Sequence, residues 1–292
     1  MRKTILLFLF ILSFQNLFSQ AQESIRALSG DPKFLDYLIQ KGNFEDVIYI
    51  IEEILPGNDS LRGDINELNY YLGYAQYNLK NLQKSSESFL KVSPASVYYN
   101  KSRFFAAYNS AFGKDYKLAK GILKDLQPGE ELLKEFSIFQ QSGISLLERD
   151  YKSFDSLSYS FSKNYYQFAS EEDKLIQYSK ELADFKPKSV AISGVFSAII
   201  PGMGKVYSKK AGEGVAAFLA NSILLGMTYE NYKKAGSRNY KTLIFGSLFS
   251  VFYIGNIYGS MVSVKVYREE FYKNYENKIL FTMHIPLRTI FN

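Results

Sequence analysis

The chain has 292 residues, 47% hydrophobic and 22% charged, the composition of a folded protein rather than a disordered one. It contains no cysteine and one histidine, which excludes disulfides, thiolate nucleophiles, cysteine-ligated zinc, a lipid-modified cysteine, HExxH zinc sites and histidine clusters. The formal charge of +6 is uneven, because residues 20–186 carry 20 Lys and Arg against 24 Asp and Glu, whereas residues 187–292 carry 13 against 5. The basic excess accompanies the apolar C-terminal half, where it concerns topology and anionic headgroups; no nucleic-acid partner is expected, since the soluble part lacks a basic stripe. At the N-terminus, Arg2 and Lys3 precede an apolar run over residues 5–12 and small residues at Ser19 and Ala21. That order of charge, apolar core and small-residue exit predicts a secretory signal peptide over residues 1–20.

Next comes an internal repeat. Asn43-Phe44, Asn81-Leu82, Asp115-Tyr116 and Asp150-Tyr151 each place a small polar residue before a large apolar one, at separations of 38, 34 and 35 residues. From each anchor one apolar stripe continues at helical spacing: Val47, Ile51 and Ile54, then Ser85, Phe89 and Val92, then Ala119, Leu123 and Leu126. A proline follows twelve residues after three of the anchors, at Pro56, Pro94 and Pro128, where its ring and missing N–H are expected to end the helix. Partner helices upstream would use Phe34 and Ile39, Leu72 and Tyr77, and Ala106 and Ala111.

On these residues the segment 31–168 resembles the tetratricopeptide repeat (TPR) family in a degenerate form. Leu72-Gly73 matches the family's leucine-glycine pair and Ala119 its small residue in the second helix, while Val47, Ser85 and Phe154 replace that small residue and Lys163 stands where a fourth proline would fall. The resemblance implies an all-α array of stacked antiparallel helical hairpins with a concave peptide-binding face. Ser170-Glu171-Glu172-Asp173 then reads as a capping box opening a linker helix over residues 170–186, which Lys186-Pro187 breaks.

The C-terminal third reads as a membrane domain over residues 189–264. Residues 242–264 form 23 positions without a charge, roughly 34 Å as a helix and enough for a bilayer core. A first span is expected at 212–229, short but supported by its neighbour, with Gly255 and Gly259 offering a small face for helix packing against it. The intervening segment 230–241 carries Lys233, Lys234, Arg238 and Lys241, which predicts a cytoplasmic loop. Before the spans, residues 189–200 are apolar but too short to cross, so an interfacial helix or one packed on the hairpin is expected. The turn Pro201-Gly202-Met203-Gly204, with Tyr207, Gly212 and Gly214, resembles small bacterial membrane-hairpin families, one of them named for its two transmembrane helices. That resemblance implies a membrane module and no reaction, and Lys209 departs from it where a further glycine is common. In the juxtamembrane tail, 265–292, Phe281, Met283, Ile285 and Leu287 alternate as in a short strand. Pro286 reduces this to an edge strand or extended segment, lying on the membrane's outer face or back against the repeats.

No catalytic constellation is legible. Adjacent carboxylates such as Glu52-Glu53, Glu130-Glu131 and Glu171-Glu172 diverge around a helix and read as solvated faces, and the lone His284 reads as a surface or packing residue. The expectation is a non-enzymatic scaffold without cofactor or metal, held in the inner membrane with its repeats facing the periplasm or cell exterior. Its partners would be membrane lipid and another envelope protein or peptide. The alternative is a subunit of a transport, lipid-handling or envelope-assembly complex in which the hairpin is the working part.

Overall fold

A computed structural model describes residues 32–55, 64–126 and 129–291, and every regular element in it is a helix. The signal peptide expected over 1–20, and Pro56 and Pro128, lie outside these residues. The chain divides into two compact units, one holding the residues up to Gln177 together with Ile279–Asn292, the other Tyr178–Lys278.

In the first unit eight helices run in pairs: α1 (Pro32–Lys41) with α2 (Phe44–Ile54), α3 (Ile65–Asn78) with α4 (Leu82–Leu90), α5 (Tyr99–Phe112) with α6 (Tyr116–Lys124), and α7 (Glu131–Leu147) with α8 (Tyr151–Ser158). Each helix packs on the next, and α1 also reaches α3 as α5 reaches α7. Phe44, Leu82, Tyr116 and Tyr151 are each the first residue of a second helix, half-buried, and the polar residue before each is its N-cap. The Asp115 and Asp150 carboxylates accept from the Leu118 and Ser153 amides at 3.0 and 3.1 Å, satisfying donors that a helix start leaves open.

One turn joins all four pairs. Gly42, Lys80, Lys114 and Arg149, each two residues before an anchor, have φ of +77°, +66°, +66° and +62°. In every case this residue's amide bonds the carbonyl three back and the next amide the carbonyl five back, as in Asn81 N to Gln76 O at 2.9 Å. That pair of bonds closes a helix C-terminus through one left-handed residue.

The stripes predicted from the anchors are buried at Val47, Ile51 and Ile54, at Ser85, Phe89 and Val92, and at Ala119 and Leu123, with Leu126 half-buried. Upstream, Leu72, Tyr77, Ala106 and Ala111 are buried, but Phe34 is exposed. Leu35 and Leu38 fill the core of the first pair instead, because they lie on the face of α1 that meets Val47 and Ile51. Pro94 does not end α4, which already stops at Leu90. Gly73 is a point of close approach: a Cβ there would lie 2.7 Å from the Phe89 ring, and its carbonyl accepts from the buried Ser85 hydroxyl at 2.7 Å.

The linker helix α9 spans Ala169–Ala183, so Ser170 sits inside it rather than capping it. Glu172 is 0% exposed, which corrects the reading of Glu171-Glu172 as a solvated face. In the second unit α10 (Val190–Ile199) and the single turn α11 (Met203–Tyr207) lead to α12 (Ala211–Ala235), and α13, from Tyr240 to Phe291, starts there and ends in the first unit from Ile279 on. Both α12 and α13 are long and apolar enough to cross a membrane. The expected loop at 230–241 is mostly helical, with a break only around Gly236.

The expected extended tail is a helix. Residues 275, 279, 282, 283, 286 and 287 are buried, a spacing of three and four rather than two, while Phe281 is exposed. Pro286 lies inside α13, where its missing N–H leaves the Thr282 carbonyl without its usual intrahelical donor.

Candidate functional site

Two places gather side chains beyond what a helix pair needs. The first is the seat of the chain's own C-terminal turns in the first unit. There α3, α5 and α7, the leading helices of three successive pairs, each supply contacts. His284 stacks 5.4 Å from Tyr108 and lies 5.8 Å from Tyr77, while Phe291 meets Phe104, Phe105 and Phe136 at 5.4, 6.2 and 6.1 Å. Gly143 makes room for Met283, since a Cβ there would fall 2.5 Å from the Met283 sulfur. The Gln140 side-chain amide donates to the Met283 carbonyl at 2.9 Å. Burial, with Arg288 and Lys80 close by, holds the His284 imidazole below its ordinary range.

The second is the glycine turn. Gly202 has φ +86°, and a Cβ on it would lie 2.0 Å from the Gly214 carbonyl; one on Gly204 would lie 2.1 Å from the Ser193 carbonyl; one on Gly214 would lie 2.6 Å from Val206. These three glycines let α10, α11 and the start of α12 touch backbone to backbone, where no side chain fits. Gly212 meets nothing within 4 Å. Pro201 is half-buried at the entry to the turn. The Tyr207 hydroxyl accepts from the Ser189 amide at 3.2 Å and its ring packs edge-on to Phe196.

A buried polar network holds this turn to α13. The Ser193 hydroxyl lies 3.0 Å from the Gly204 carbonyl and 2.8 Å from the Ser260 carbonyl, Ser197 donates to the Ser260 hydroxyl at 2.6 Å, and the Gly204 amide donates to Ser197 at 2.9 Å. The Gly202 amide donates to Asn256 Oδ1 at 3.0 Å. The side chains that join α13 to its neighbours are therefore Asn256 and Ser260, each one residue past the glycines expected to pack on the first span, and they bond α10 and the turn rather than α12. A Cβ on Gly255 would meet nothing within 4 Å, and one on Gly259 only the Lys205 side chain at 3.7 Å. The sequence signal was present in two polar residues four apart within an apolar run, the spacing that places them on one helical face.

Beside this network a cavity of about 500 Å3 is lined by Lys205, Glu213, Ala217, Asn221, Gly255 and Asn256. Lys205 and Glu213 pair at 3.9 Å. Asn221 is 2% exposed; its amide nitrogen donates to the Ala217 carbonyl at 2.8 Å and its carbonyl oxygen has no partner. Among the described residues no three acidic or histidine side chains converge on a position for a metal ion. Glu172, 0% exposed, faces the half-buried Glu135, whose carboxylate accepts from the Ser162 amide at 3.0 Å.

No protein family, curated protein or solved structure matches this chain.

Proposed function

We propose that the chain is a non-enzymatic scaffold anchored in the inner membrane by α12 and α13, presenting a TPR-like array of helical hairpins to another envelope protein or peptide outside the cytoplasm. The observation that carries this reading is the one turn repeated at Gly42, Lys80, Lys114 and Arg149. A recurring unit of two helices and a left-handed residue is how repeat arrays build an extended surface, and such surfaces bind rather than react. The apolar spans, the basic residues between them and the charged, small-residue N-terminus support export of the array and a cytoplasmic turn at Gly236. The lipid bilayer is then a partner in its own right, facing the many exposed apolar side chains of α12 and α13.

A second reading, in which the membrane hairpin works as a subunit of a transport, lipid-handling or envelope-assembly complex, is favoured by one observation, the unpartnered Asn221 oxygen beside a cavity. Polar groups inside spans are costly unless they meet a partner. Photo-crosslinking in intact cells separates the two. Probes replacing the exposed Tyr37, Tyr49 and Tyr159 of the array are expected to give one discrete protein adduct. Adducts only from probes beside the cavity, at Ala217 or Val251, would favour the second reading over the first.

A further inference from the structure

We propose that the C-terminal turns of α13, residues 279–291, are a resident ligand of the helical array, seated in a groove that also accepts a partner's amphipathic helix of the same pattern. A partner would thus have to displace the chain's own helix. The inference rests on the scaffold reading and names both the kind of partner and what controls its access.

The groove is built from the first helices of successive hairpins, with Phe105 and Gln140, and again Tyr108 and Gly143, at equal distances before their anchors Tyr116 and Tyr151. Tyr77 on α3, Phe104, Phe105 and Tyr108 on α5, and Phe136, Gln140 and Gly143 on α7 all belong to first helices, the side of each hairpin on which a stacked array lines its inner surface. The bound helix presents Ile279, Met283 and Leu287 at successive intervals of four, all fully or almost fully buried, and Phe291 one interval further. Anchors at that spacing form the apolar face by which a helix lies in a groove. Gly143 and Gln140 add selectivity: the glycine opens a slot for a long flexible side chain, and the amide reads the helix backbone at the same residue. This is recognition of a helix by its shape and apolar spacing, not by a unique set of charges.

Several features leave the seat exchangeable. Pro286 removes a hydrogen bond from the middle of the bound segment. The Tyr77 hydroxyl under it is buried without a partner. Lys80 on the turn after α3 and Arg288 on the bound helix are both positive around the His284 ring. A partner helix that supplied an acceptor to Tyr77 or a carboxylate to Lys80 would bind the same groove more tightly than the resident helix does.

The absence of cysteine makes the test direct. The full chain is purified in detergent with Leu287→Ala and Phe291→Ala, and binding of a fluorescent peptide of residues 279–292 is measured by anisotropy. The weakened chain is expected to bind this peptide at least about tenfold more tightly than wild type. A peptide carrying Leu287→Asp should not bind. Adding Gly143→Cys and Met283→Cys to the weakened chain and oxidising it should abolish peptide binding, and reduction should restore it. Equal binding by the wild-type and weakened chains, or binding untouched by the crosslink, overturns the proposal. Loss of helix content in the weakened chain also overturns it, because it would make the segment part of the core rather than a ligand. In-cell adducts that form equally with the crosslinked chain would leave the scaffold reading standing while removing this one.

Discussion

Gly204→Ala is expected to destabilise the second unit by about 2–5 kcal/mol, overpacking and unpaired polar groups together, and Gly202→Ala by a comparable amount, whereas Gly212→Ala leaves it unchanged or slightly more stable. The difference lies in what a methyl group meets. At Gly204 it would fall 2.1 Å from the Ser193 carbonyl and 2.6 Å from the Ser197 hydroxyl, so α10 must move away. Movement there breaks the bonds from Ser193 and Ser197 to Gly204 and Ser260 together, and it leaves hydroxyls and carbonyls buried without partners. At Gly202 a left-handed backbone adds about 1–2 kcal/mol of strain to a 2.0 Å approach to Gly214. Gly212 stands in open space at the start of α12, where alanine is the better helix former. Thermal unfolding of the three variants in one detergent, followed by circular dichroism and by protease sensitivity of the Gly236 turn, gives the comparison. Equal behaviour of Gly204→Ala and Gly212→Ala would contradict the packing described for the turn.

The stability of the first unit is expected to fall as pH rises from about 5 to 8, and Glu172→Gln is expected to remove most of that slope. Burial first, and then the neighbouring Glu135 carboxylate, push the Glu172 carboxyl from 4.5 up to about 8, with Lys163 opposing them. A carboxyl whose pKa rises on folding binds more protons folded than unfolded between those two values. Its contribution is therefore intact below about 4.5 and is lost progressively as pH climbs through 8. Each pH unit within the window is worth up to about 1.4 kcal/mol, so roughly 2–3 kcal/mol should separate pH 5.5 from pH 7.5. Glutamine keeps a donor toward Glu135 at every pH, so the variant should be the more stable chain at pH 8. His284 works in the opposite sense: its depressed pKa weakens folding as pH falls below the ordinary histidine range, so a histidine-free control with His284→Asn isolates the Glu172 term. Melting temperature against pH for wild type and the two variants reads both slopes. A wild-type profile that is flat or rising between pH 5.5 and 7.5 would contradict the burial of Glu172 beside Glu135.

Much of the helix pairing was legible because its periodicity is carried by side chains. The small polar residues at Asn43, Asn81, Asp115 and Asp150 all take the N-cap position, where the two aspartates accept a helix amide and the two asparagines do not, and the large residues after them mark the register. The turn that unites the hairpins was not legible. Its left-handed residue is Gly42 once but Lys80, Lys114 and Arg149 elsewhere, and lysine or arginine carries no signal for that backbone. Positions 281–287 fit a period of two as well as a period of four, and only the groove that buries Met283 and Leu287 selects the helix. Gly255 and Gly259 drew attention as a small-residue stripe, yet Asn256 and Ser260 make the contacts. In a crowded buried turn the scarce commodity is a hydrogen-bond partner for Gly202 and for the Ser193 and Ser197 hydroxyls, not space. Glu172 read as solvent-facing because the groups that face it, Glu135 and the chain at Lys163, come from outside its own helix.

The central claim is that α12 and α13 cross the membrane with the helical array outside and the Gly236 turn inside. Paired reporter fusions, alkaline phosphatase and green fluorescent protein, placed at Ser170, Gly236 and Asn292 measure it in cells. The account predicts phosphatase activity without fluorescence at Ser170 and Asn292, and fluorescence without phosphatase activity at Gly236. Fluorescence at all three positions would contradict it.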